Sequence, residues 1–209
     1  MKKTFKTSFN EYWLFESPMA SGHSAHNPYE DLVYAIKENI KNGQQIINVS
    51  AVLKKLVVNS SVIYWIEHNN IIDIVTEFKK VPDGLYVEIS GKRQGSPIYA
   101  SDFYKMVLQD SSRLIFSGDV ISDQGFGIWK QLINSGSKLF VYNTDNALDR
   151  TTVDSEEDLL KYFQGSVDYK KYRFVVSESL KEHTVVKTSF DLLRTYILTH
   201  GVDLFGNKI

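Results

Sequence analysis

Apolar residues follow two periods along the chain, and the period changes at Ser61. Before that point Leu32, Val33, Ile36 and Ile40 recur at helical spacing and form one apolar face. Asn27 is a capping residue, Pro28 suits the first helical position, and Glu30 supplies an early carboxylate. Asn42-Gly43 ends the helix, glycine accepting the left-handed conformation. Val52, Leu53 and Leu56 predict a second, shorter helix from Ser50 to Val58.

From Ser61 onward the residues are β-branched and aromatic, beginning with Val62-Ile63-Tyr64-Trp65-Ile66. After a turn at Asn69-Asn70, Ile72, Ile74, Thr76 and Phe78 alternate with polar or outward positions. Pro82-Asp83-Gly84 turns the chain again, and Leu85, Val87 and Ile89 alternate with Tyr86 and Glu88. The pattern predicts a meander of three antiparallel strands. Helices then alternate with strands. Helices are predicted over 100–109, 125–134, 155–163 and 189–199, and strands over 114–121, 139–142, 172–176 and 184–186. This order implies an α/β (α+β) chain with a mixed sheet and helices on both faces. It reads as one domain: an N-terminal segment over 1–60, a sheet core over 61–187, and a C-terminal helix and tail over 188–209.

Composition narrows the chemistry. The chain has 209 residues, 43% of them hydrophobic, enough for a core without staples. It has no cysteine, which removes disulfides, thiol nucleophiles and thiolate metal sites. Lys and Arg total 24 against 25 Asp and Glu, so no basic surplus points to nucleic acid. No apolar run approaches the ~20 residues of a membrane span, and a cytoplasmic protein is expected. His23 and His26 read as part of a solvated polar loop rather than a metal site. No Gly-x-Ser-x-Gly nucleophile elbow occurs.

The most informative stretch runs from Leu114 to Tyr142: strand, glycine turn at Ser122-Asp123-Gln124-Gly125-Phe126-Gly127, helix, strand. The first-turn N–H groups of a helix lack internal acceptors, and glycines let a phosphate approach them. The same glycines also serve a plain strand-to-helix turn, with Asp123 as a cap. Over roughly residues 61–176 the pattern resembles the GCN5-related N-acetyltransferases, and within them divergent proteins encoded by bacteriophages. Gly125 and Gly127 fall on the family's two small positions, and Ser122-Asp123, Gly127-Ile128-Trp129 and Leu132 fit the phage pattern. Asn143 and Asn146-Ala147 follow the next strand, as the family's Asn and Ala do.

The resemblance implies a fold and a mechanism. A central strand would splay from its neighbour, so the strands ending near Ile121 and Leu139 are expected to part. Backbone groups of Val120 and Ile121 would then pair with the pantetheine arm of acetyl-CoA. Ser122, Gln124, Gly125, Phe126, Gly127 and Asn143 would complete the cofactor site. An amine, of a small molecule or a protein, would attack the thioester. Glu88 or Asp119 would act as base, and Tyr142 or Tyr162 would protonate the leaving thiolate. The alternative is a GNAT-like scaffold kept as a non-catalytic phage binding or virion-associated protein. Transfer chemistry on a nucleobase ranks below both.

Overall fold

A computed structural model describes residues 27–82, 84–118, 121–144, 146–163 and 171–177. The first helix, α1 (Pro28–Lys41), is as the sequence predicts. The Asn27 side chain accepts from the Tyr29 N–H, and Gly43 takes φ +88° just past the end. Leu32, Ala35 and Ile36 are its buried face.

Five strands follow in meander order: β1 (Ile47–Asn48), β2 (Leu53–Val58), β3 (Ser61–His68), β4 (Ile71–Val81) and β5 (Gly84–Lys92), each antiparallel to the next. The predicted helix over 50–58 is therefore wrong. Leu53 and Leu56 do point inward, but Lys54 and Lys55 between them and the β-branched Val57-Val58 suit a strand. That strand pairs with β3 from Leu53↔Ile66 to Val58↔Ser61. Ser50 turns the chain, its hydroxyl accepting from the Leu53 N–H at 3.0 Å.

The second half contains α2 (Ala100–Ser111), β6 (Leu114–Phe116), α3 (Asp123–Asn134), β7 (Lys138–Asn143), β8 (Asn146–Val153), α4 (Glu156–Leu160) and β9 (Tyr172–Ser177). Strand β8, absent from the elements the sequence pattern predicts, pairs antiparallel with β7. The strand expected over 114–121 pairs only as far as Phe116, and the helix expected over 155–163 is regular only over α4. The strand over 184–186, the helix over 189–199, His23 and His26 lie outside the described residues.

All nine strands join one sheet in the order β1-β2-β3-β4-β5-β6-β9-β7-β8. Among the described strands only β5 and β6 are parallel, joined by the crossover through α2. The sheet is mixed, as expected. One face carries α2, α3 and α4 over Tyr64, Ile74, Phe78, Leu85, Ile115 and Phe174. The other carries α1, with Leu32 and Ile36 on Leu56, Ile63, Trp65 and Val75.

Two β-bulges interrupt the meander. Ile66↔Ile74 is followed by Glu67↔Ile72, which leaves Asp73 as the extra residue of β4. Glu77↔Ile89 is followed by Phe78↔Val87, which leaves Glu88 as the extra residue of β5. A bulge bends its strand and re-aims the side chain it carries. The bend at Glu88 falls next to the last β5–β6 pair, Tyr86↔Phe116. Beyond that pair the two strands part. The parting expected between the strands ending near Ile121 and Leu139 is not found, because β9 lies between β6 and β7 and pairs with both.

Candidate functional site

The parting of β5 from β6 opens a cleft of about 320 Å³. Val87 to Lys92 form one wall, and Ser117, Gly118 and Ile121 form the opposite one. The N-terminal halves of α2 and α3 roof it, through Tyr99, Ala100 and Tyr104 and through Gly125, Gly127 and Trp129. From Val87 onward the β6-side edge of β5 has no paired strand among the described residues. That edge lines the cleft, and a strand edge is the kind of surface to which an extended ligand adds as a further strand.

The turn singled out in the sequence borders this cleft. Ser122 caps α3, its hydroxyl accepting from the Gly125 N–H at 3.1 Å. Gly125 is closely framed: a Cβ there would stand 3.3 Å from Ile121 Cγ2. Gly127 is different, because a Cβ there would meet nothing within 4 Å. A glycine inside a helix costs about 1 kcal/mol relative to alanine. Here it also leaves space open on the cleft side.

The cofactor candidates divide. Ile121, Ser122, Gln124, Gly125 and Gly127 line the cleft. Phe126 does not: its ring is buried and stacked on Phe163, with centroids 3.9 Å apart. Asn143 ends β7, two strands away from β6 across β9. Val120 lies outside the described residues, as does Asp119.

The catalytic candidates divide likewise. Glu88, the bulge residue of β5, lines the cleft and is half-buried. Tyr142 does not reach it. Its ring is buried on the sheet face opposite α2 and α3, against Phe116 at 6.1 Å between centroids. Tyr162 packs edge-on against Tyr172, outside the cleft lining.

Polar groups that sequence reasoning missed lie in the cleft lining and beside it. Thr76 Oγ1 and Ser90 Oγ hydrogen-bond at 2.7 Å across β4 and β5, with Ser90 in the lining. Burial pushes the Tyr104 phenol up to about 12, so it keeps its proton. Across the cleft the Ser117 hydroxyl, 1% exposed, accepts from the Phe174 N–H at 3.0 Å. Serines inside alternating strands look like ordinary outward positions in sequence, and no motif marks them.

A charged hub anchors the mouth of the cleft. Asp73 is buried, and its carboxylate accepts from Arg93 Nη2 at 2.7 Å, from His68 Nδ1 at 2.9 Å, and from Ser96. Burial alone would raise the Asp73 carboxyl, but these hydrogen bonds outweigh it and hold the group below its usual value. Arg93 and Ser96 belong to the connection between β5 and α2, so the hub sets where α2 begins. At that start Tyr99 provides no side-chain cap; its carbonyl accepts from the Asp102 and Phe103 N–H groups.

Among the described residues no group of three or more potential ligands is disposed to hold a metal. No helix among them is long and apolar enough to cross a membrane. No family model, curated protein or solved structure matches the chain.

Proposed function

We propose that the chain is an acyl-CoA-dependent N-acyltransferase of GNAT-like fold, acting on an amine, with the cofactor in the cleft between β5 and β6. One observation carries this reading: the parallel pair of β5 and β6 parts at a bulge, and beyond it the β6-side edge of β5 has no paired strand among the described residues and lines a cleft beside two helix N-termini. The resemblance calls for a splayed central strand, and β5 supplies it one strand earlier than the sequence motif suggested. The pantetheine arm pairs with the backbone of Val87 to Lys92 instead of Val120 and Ile121.

Capping favours α2 over α3 for the pyrophosphate. Each helix has one acid in its first turn, Asp102 and Asp123, but Lys92 precedes α2, and the Gly125 N–H of α3 is already taken by Ser122. An anion is stabilised where first-turn N–H groups are uncapped by a side chain. Tyr99 leaves α2 in that condition. Ser122 to Gly127 then form the facing wall, with Gly127 leaving room for the arm.

The amine attacks the thioester carbonyl, a C–N bond forms, and the C–S bond breaks. Glu88 takes the proton of the amine, directly or through water. The leaving thiolate takes its proton from water, because Tyr142, which the resemblance put forward with Tyr162 for that role, is buried on the opposite face of the sheet.

Isothermal calorimetry with acetyl-CoA tests the reading. We expect saturable heat from the wild-type chain and none from Gly127→Trp, whose side chain fills the cleft while the circular dichroism of the fold is retained. Absence of heat from folded wild type at high acetyl-CoA concentration would falsify the proposal. A second reading, cofactor binding without transfer, is favoured by the burial of Tyr142 away from the cleft. Binding with no acylation of any amine in a panel would select it.

A further inference from the structure

Strand β6 ends at Phe116, and the next residue changes how the chain is held to β9. Pairing with β9 runs Ile115↔Val176 and Phe116↔Val175, so Phe174 stands opposite Ser117. In a regular antiparallel ladder such a pair exchanges two main-chain hydrogen bonds, N–H to carbonyl in each direction. One of the two is made: the Ser117 N–H donates to the Phe174 carbonyl at 2.8 Å. In the other direction the acceptor differs. The Phe174 N–H donates at 3.0 Å to the hydroxyl oxygen of Ser117, where a regular ladder would use its carbonyl.

The serine side chain thus stands in for its own main-chain carbonyl, a substitution open to residues with a short hydroxyl. A residue held by both its N–H and its carbonyl is kept in line with the strand. Ser117 is held by its N–H and its side chain, so its carbonyl is released and the chain can turn at Ser117-Gly118. The place is buried, with Ser117 1% and Phe174 2% exposed. An unmet N–H there would cost stability, and the hydroxyl lets β6 end without leaving one.

On its other side β6 makes its last pair with β5 at Tyr86↔Phe116. If β6 ran on in line, Ser117 and Gly118 would stand beside Val87 and Glu88. All four line the cleft, and their pairing would close it. The bulge at Glu88 bends one wall away, and the turn after Ser117 takes the other. We propose that Ser117 is a positioning residue: its hydroxyl ends β6 and so keeps the β5 edge from Val87 to Lys92 open to a ligand. The inference goes beyond the acyl-CoA reading and holds for any ligand of the cleft.

NMR coupling across hydrogen bonds tests it. Coupling between the Phe174 amide nitrogen and the Ser117 carbonyl carbon arises only where that carbonyl is the acceptor. We expect none in wild type, with the reciprocal coupling, from the Ser117 nitrogen to the Phe174 carbonyl carbon, present. In Ser117→Ala the main-chain carbonyl takes over the Phe174 N–H, and the missing coupling appears. Strand β6 then lengthens against β5. The cleft-facing amides of Val87 to Lys92 should exchange with solvent at least about ten-fold more slowly, as for an edge open in under about a tenth of molecules. A Phe174-to-Ser117 coupling already present in wild type overturns the inference. So does a folded variant that gains no coupling, or one that gains it while the β5 edge exchanges as in wild type. Loss of the fold in Ser117→Ala also overturns it, because the carbonyl is expected to replace the hydroxyl and preserve the sheet. Acetyl-CoA should bind the variant at least about ten-fold more weakly, for the same closed fraction. A wild type that does not bind acetyl-CoA removes the acyl-CoA reading alone, and coupling and exchange still decide the role of Ser117.

Discussion

Asp73 and Glu88 owe their positions to being the extra residues of two bulges. A regular alternation would have sent each to a fixed face; the bulge releases it from that rule. For Asp73 the result is a buried carboxylate with Arg93, His68 and Ser96 around it. Its pKa is depressed in the fold relative to the unfolded chain. Such a group adds stability above the ordinary carboxylate range, about pH 4, and that stability is lost as the pH falls through the folded value. Asp73→Asn should therefore destabilise the chain at neutral pH, by about 1.5–3 kcal/mol, because its carboxylate is buried but Arg93 and His68 keep part of their exposure. It should also flatten the loss of stability between about pH 5 and pH 3. Urea titrations across that range check both effects; a variant with the same acid dependence as wild type would remove Asp73 as its source. Glu88 was legible as a candidate base from its place in β5. The hydroxyls of Thr76, Ser90 and Ser117 were not, because nothing in a single sequence tells which strand positions will border a gap.

At the level of elements, end signals were more reliable than short apolar patterns. Asn27, Pro28 and Gly43 bracket α1 as local chemistry dictates, whereas at α3 the cap is Ser122 and not Asp123, which is the first helical residue. The stretch over 50–58 misled because three inward residues fit two periods, and only pairing with β3 decides for a strand. Ser122 has two possible roles at the start of α3, as a helix cap and as cleft lining. Ser122→Ala removes the hydrogen bond to Gly125 and should cost about 1 kcal/mol, seen as a lower Tm. If the pyrophosphate lies at α2, acetyl-CoA affinity should change little in the same variant. A large loss of affinity would return the phosphate to α3.

Across the whole molecule the decisive event is the return of β9 between β6 and β7. It closes the sheet where the resemblance implied a gap, and among the described residues the strands that part around the cleft are β5 and β6. Phe174 on β9 is 2% exposed and touches Trp129 and Phe126, with ring centroids 5.7 Å and 6.1 Å away. It ties the last described strand to the helix that walls the cleft. Phe174→Ala should cost about 3–5 kcal/mol, with the whole sheet unfolding in one transition. Two separate transitions in denaturant, one for the meander and one for the second half, would show that the sheet is not one cooperative unit.

The sequence alone determined most of the elements, because helix faces, caps and turns depend on residues within a few positions of each other. It also determined that Gly125 and Gly127 stand at a helix start. Only the tertiary structure decided which strands are neighbours, since β9 reaches its place from more than fifty residues beyond β6. That choice moved the gap from one side of β6 to the other. It set the Ser122 to Gly127 turn on the wall of a cleft whose floor and charged mouth come from β4, β5 and the start of α2.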